Sequence, residues 1–160
     1  MKYGRYTVAV VVLSFGFHGT LLAADKGELD VRYTSEWTGD AATLQTGPNA
    51  RHTMRSHELT AIAGTSFVGA TNALCHQTED EETSAAGGTD YDGYCTWRDA
   101  DGDLIFETYN GYAPPNGGPV EFGSGLIVGG TGKFAGITGG LAWEYGEQGR
   151  KRGLYYLPGE

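Results

Sequence analysis

Five ionisable side chains, Glu36, Arg55, Glu58, Glu107 and Glu144, fall in or beside stretches of strand-like sequence, where alternation decides which of them faces inward. Parity sets Glu36 against Tyr33 and Trp37, and Glu144 against Trp143 and Tyr145, so inward-facing aromatics turn both carboxylates out. Glu107 shares a face with Ile105 and Tyr109, which favours it as the inward carboxylate. A carboxylate among apolar side chains holds its proton more tightly and can serve as an acid or base. Glu107 is a candidate for that role, and no catalytic residue is assigned. The aromatic set Tyr33, Trp37, Trp97, Tyr109 and Trp143 is the expected wall of a ligand cavity, since a small-molecule site is mostly apolar with few convergent polar groups. Taken singly, each ring also reads as core filler.

Other chemistries fail on spacing. Gly123-Ser124-Gly125 lacks the G-x-S-x-G arrangement of a nucleophile elbow. Gly130-Thr131-Gly132-Lys133-Phe134-Ala135 formally fits the dinucleotide pattern G-x-G-x-x-A. However, Gly136, Gly139, Gly140 and the β-branched Ile137-Thr138 forbid the helix that would have to follow. A phosphate loop would need Ser or Thr where Phe134 stands. No nicotinamide, flavin or other cofactor is expected. Asp99-Ala100-Asp101-Gly102-Asp103 has Leu104 and Asn110 where a calcium loop needs Gly and Glu, so it reads as a hairpin turn, with a weak cation site as the alternative. Cys75 and Cys95 are the two cysteines, and His52, His57 and His76 show no ligand spacing with them. A disulfide is expected and a metal site is not. Closing that loop is worth about 3 kcal/mol on the chain-entropy account.

The elements that must position these groups are short strands. Gly supplies 27 of 160 residues, more than twice the usual share, and is scattered between β-rich runs. Leu29–Trp37 alternates with period two. Further strands are expected near 58–62, 65–69, 73–77, 91–97, 104–109, 123–128, 141–145 and 153–157, with a short helix at most around 49–55. Glu79–Glu82, running on to Gly88, reads as an acidic mobile loop, and Arg150-Lys151-Arg152 as a basic hairpin loop. Eight to nine strands suit a small closed antiparallel barrel, which removes exposed edges and is just wide enough to be filled by side chains or to hold one small ligand.

Leu126-Ile127-Val128-Gly129-Gly130-Thr131-Gly132-Lys133-Phe134, followed by Gly136 and Gly139, resembles the late strand pair of the allene oxide cyclase and dirigent barrel superfamily. Gly153-Leu154-Tyr155-Tyr156-Leu157 is similar to that family's last strand. The resemblance covers about residues 122–157 and implies an all-β fold, a small closed antiparallel eight-stranded barrel. It also implies two activities: cyclisation of a fatty-acid epoxide held in an apolar barrel, or dirigent control of phenoxy-radical coupling. The early strands do not match, so no catalytic residue carries over, and the shared glycines speak for scaffold rather than turnover.

Residues 1–24 have the layout of a secretory signal peptide. Lys2 and Arg5 precede an uncharged run that ends in Ala23-Ala24, a retained anchor being the alternative. Residues 25–160 are then a single β-barrel domain, periplasmic or extracellular. Loss of Lys2 and Arg5 takes the formal charge from −9 to −11, which disfavours nucleic acid and anionic membranes as partners. The expected function is binding of a small apolar or aromatic molecule, with cyclase or isomerase action by conformational control if the protein is an enzyme. The alternative is a non-enzymatic envelope structural or interaction module with a filled barrel. No feature fixes an oligomeric state.

Overall fold

The computed structural model describes residues 25–82, 87–115 and 120–159, so the expected leader lies outside the described residues. Eight antiparallel strands follow in chain order: β1 (Asp25–Gly47), β2 (Ala50–Ala61), β3 (Asn72–Glu82), β4 (Thr89–Arg98), β5 (Leu104–Ala113), β6 (Glu121–Gly130), β7 (Thr138–Tyr145) and β8 (Gly149–Leu157). Each pairs with its sequence neighbour, and β8 returns to β1, closing the ring into a barrel. Closure satisfies both edges of nearly every strand. The exception is the second half of β1. Only Asp25–Tyr33 pairs with β8, so the rest of β1 pairs with β2 alone and projects as an arm with a register shift between Thr38 and Ala42. No helix among the described residues is long and apolar enough to cross a membrane.

The pleat sends alternate side chains inward. Leu29, Val31 and Tyr33 of β1, Ala73 and Cys75 of β3, Cys95 and Trp97 of β4, and Ile105, Glu107 and Tyr109 of β5 are all buried. One end of the barrel is shut by loops. The turn from Phe67 to Ala70, with Val68 and Gly69 at φ 52° and 95°, drives Phe67 into the opening. There Phe67 stacks on Trp97 at 4.5 Å between centroids, 7° from parallel. The segment Gly129–Gly140 joins adjacent strands β6 and β7, as its sequence predicts. Its single 3₁₀ turn, Gly132–Phe134, buries Phe134 beside Ile137 at the same end. Burying each of these side chains contributes roughly 1.5–3 kcal/mol.

The lysine of the glycine-rich turn has a structural use. Lys133 ion-pairs Asp99 and Asp101, the latter at 2.7 Å, while its backbone N–H donates to Asp103. The three carboxylates of the β4–β5 turn are therefore tied to the β6–β7 turn. That contact and the two backbone N–H groups received by Asp99 hold its carboxyl below the usual range.

Four sequence expectations are corrected. Residues 65–69 form no strand, and from Phe67 onward they belong to the Phe67–Ala70 turn just described. Residues 49–55 are not helical, because the chain from Ala50 pairs with β1 on one side and β3 on the other. Glu79–Glu82 belongs to β3 instead of a loop. Side chains on β2 make that possible, since Arg51 and Arg55 ion-pair Glu81 and Glu79 and offset part of the negative charge, while the His52 ring hydrogen-bonds Asp80. Arg150–Arg152 lies inside β8. Its outer members pair with Asp30 and Glu144, and Lys151 points into the barrel.

Candidate functional site

A direct cross-strand row runs round the inner wall through Trp37, His57, Cys75, Cys95, Glu107 and Ile127, each opposite the next. Cys75 and Cys95 form the expected disulfide, with Cα atoms 4.1 Å apart. Their sulfurs lie close to the His57 ring but are bonded to each other, so they offer no thiolate to a metal. His57 is buried, and its Nδ1 has no hydrogen-bond partner among the described residues. Burial, reinforced by the charges of Lys151 and Arg55, pushes its pKa down to about 4, so the ring is neutral at neutral pH.

Glu107 is inward and 1% exposed, as parity predicts, and its partner is the lysine taken from sequence to lie in a loop. Lys151 Nζ donates to both carboxylate oxygens, at 2.6 and 2.7 Å. Trp97 Nε1 donates to Oε2 at 2.8 Å. The ammonium sits 5.4–5.9 Å from the ring centroids of Tyr33, Phe67, Trp97 and Tyr109, an aromatic box around a cation. Burial lowers the lysine's pKa, opposed by the charge and hydrogen bonds of Glu107.

Above this pair the barrel is hollow. A cavity of about 230 Å³ opens toward the β1–β2 arm, with Lys151 in its floor and Tyr33, Leu59, Cys95, Tyr109 and Trp143 in its wall. The rings lie flat because glycines sit beneath them. A Cβ on Gly149 would stand 2.1 Å from the Tyr33 ring, and one on Gly111 2.1 Å from that of Trp143. Much of the glycine richness of the sequence therefore serves to fit large aromatics against the wall while leaving space at the axis.

The rim is polar and tied together. Arg55 grips Glu79 through Nε and Nη2 at 2.6 and 2.7 Å and lies 3.7 Å over the Trp37 ring. Gln77 donates to Glu79 and accepts from the Tyr109 hydroxyl at 2.8 Å. Across the mouth, Tyr91 bonds Glu121, whose pKa burial raises against the lowering effect of that bond. Burial, with Glu107 and other negative charges nearby, also lifts the Tyr33 and Tyr109 hydroxyls far above the ordinary tyrosine range, so both stay protonated.

Of the five aromatics proposed from sequence, Tyr33, Trp37, Tyr109 and Trp143 line this cavity. Trp97 does not. It lies behind the ion pair, fully buried on Phe67, and its role is to fix Glu107. Trp37 stands at the mouth, 49% exposed, because β1 has already passed the end of β8. Glu107 does not line the space either and reaches it only through Lys151. Sequence reading missed Lys151 in the floor and Gln77, Tyr91 and Glu121 at the rim. Compared with protein-family profiles, with curated proteins and with solved structures, the chain finds no match.

Proposed function

We propose that this protein is an exported small-molecule-binding barrel whose ligand is a neutral, single-ring aromatic compound. One observation carries the reading: a cavity of about 230 Å³, walled by aromatics, left open above a buried ion pair. Its size lies below the ~300–1,000 Å³ of pockets for drug-sized ligands, which favours one ring with a small substituent over a fatty-acid chain. Its electrostatics favour neutrality. Lys151 is already matched by Glu107 and Arg55 by Glu79, so neither cation in the lining is left for an anion. The same space speaks against a barrel filled by its own side chains.

Export rests on the leader-like residues 1–24 and fits a disulfide that persists in oxidising compartments. Membership of the allene oxide cyclase and dirigent barrel superfamily is a proposal. It draws on the closed eight-strand ring and on the Gly-rich segment joining β6 to β7. A phenolic ligand suits the dirigent side of that resemblance better than a fatty-acid epoxide suits the cyclase side, on volume alone.

The test is titration of the disulfide-bonded protein with phenol, toluene and a long-chain fatty acid, read by tryptophan emission. Two of the three tryptophans, Trp37 and Trp143, touch the cavity. Saturable change with the single-ring compounds and none with the fatty acid is expected. Response to the fatty acid alone, or to none, overturns the reading. Native mass spectrometry of the protein from its own host would identify the natural ligand.

A further inference from the structure

Stability accounts for Lys151 facing Glu107, since either charge alone would be stranded, but not for the barrel holding the pair at all. Buried ion pairs are often no more stabilising than apolar side chains of the same size, because removing both charges from water offsets their attraction. Nor is Lys151 a free anion receptor, since Glu107 occupies it with both oxygens. What remains to an amine in the floor of an open aromatic cavity, with a carboxylate on its far side, is nucleophilic chemistry. Building on the proposed function, we infer that Lys151 forms a reversible imine with a small aryl aldehyde or ketone, Glu107 shuttling the proton.

The step balances within the groups present. Glu107 takes a proton from the Lys151 ammonium across the 2.6 Å contact, leaving a neutral amine and a carboxylic acid. The nitrogen lone pair attacks the carbonyl carbon, the C=O π bond breaks, and the amine proton passes to oxygen to give a carbinolamine. Glu107 then returns its proton to the carbinolamine nitrogen it faces, and from that nitrogen a proton passes to the hydroxyl, which leaves as water as the C=N bond forms. The product is a protonated imine beside a carboxylate, the same charge pair as at the start. The site supports each stage. Trp97 Nε1–H holds the carboxyl in place, burial already disfavours the charged amine, and the surrounding rings pack an aryl group and disfavour hydrolysis by excluding water. Tyr33 and Tyr109 stay protonated and do not compete as bases.

The sequence makes the experiment clean, because beyond Lys2 the chain has only Lys26, Lys133 and Lys151. The intact disulfide-bonded protein is incubated with benzaldehyde and cyanoborohydride, and peptides are mapped for reductive alkylation. Lys151 is expected to be labelled at least roughly tenfold faster than exposed Lys26, since a bound carbonyl held beside its nucleophile gains effective concentration. Toluene, which fills the cavity but cannot condense, should suppress labelling at Lys151 and leave Lys26 untouched. Glu107→Gln keeps an acceptor for Trp97 and should abolish the preference for Lys151; if that variant fails to fold, the toluene arm decides. Labelling of Lys151 no faster than Lys26, or indifferent to toluene, overturns the inference. Tryptophan emission that still responds to benzaldehyde in that case leaves the binding function standing, whereas no response to benzaldehyde or toluene removes both.

Discussion

The Glu107–Lys151 pair can be tested by removing its charges one at a time and then together. Lys151→Met leaves an ionised carboxylate that is 1% exposed with Trp97 Nε1–H as its remaining donor. Stranding a buried charge in this way costs about 3–5 kcal/mol. Glu107→Gln strands the ammonium at a similar cost. In the double variant no charge is left. Trp97 keeps a carbonyl acceptor, and only the new amide N–H groups want a partner, a penalty of about 1–3 kcal/mol. The two single costs should therefore fail to add by at least about 3 kcal/mol, a coupling well above the ~0.5 kcal/mol scatter of independent sites. Urea unfolding of the oxidised protein at pH 7 measures all four corners of the cycle. Single variants that each cost under about 1 kcal/mol, or costs that simply add, would refute the reasoning. Either result would place the pair in contact with bulk water and remove the dry floor on which the imine chemistry depends.

Other outcomes follow from the same geometry. The His57 pKa, lowered from 6.5 to about 4, means the unfolded chain binds that proton more tightly. Stability from this residue should thus be complete above pH 6.5 and fall by up to ~3 kcal/mol as pH drops through about 4; His57→Gln should flatten that part of the urea-midpoint profile relative to the parent. Reduction of Cys75–Cys95, which closes 20 residues of sequence, should lower unfolding stability by about 3 kcal/mol, read by chemical denaturation with and without reductant. Trp97→Ala and Trp143→Ala should each cost about 3–5 kcal/mol, yet Trp143→Ala should weaken binding of phenol directly while Trp97→Ala acts on it only through Glu107; calorimetric titration separates them. Gly111→Ala should displace the Trp143 ring, destabilise by about 1–3 kcal/mol and blunt the fluorescence response to toluene.

What was legible in the sequence followed from local rules. Alternation along 29–37 gave the first strand. The glycines and β-branched residues after Gly132 excluded a crossover helix and left a strand-to-strand join. Parity against Ile105 and Tyr109 turned Glu107 inward. The two misplaced charge runs, Glu79–Glu82 and Arg150–Arg152, share one physical cause, which is that charge was equated with solvent. Glu79–Glu82 reads as a loop until β2 is laid beside it and Arg51, His52 and Arg55 arrive opposite. Such pairing is non-local and invisible to a window moving along one strand.

Lys151 is the instructive case, because a signal for it was present. Once a carboxylate is placed inside an apolar barrel, a cation must be sought to face it, since an unpaired buried charge is too costly to survive. Period two along β8 does not separate the faces by apolarity, since Lys151 shares one with Gly153 and Tyr155 and the arginines share theirs with Leu154 and Tyr156; the acidic neighbours on β1 and β7 are what mark Arg150 and Arg152 as the outward pair. The run Arg-Lys-Arg is thus two outward ion pairs flanking one inward amine. That inward amine faces the cavity left by glycine-backed aromatics, so the features that make this barrel hollow also make the buried Lys151 accessible.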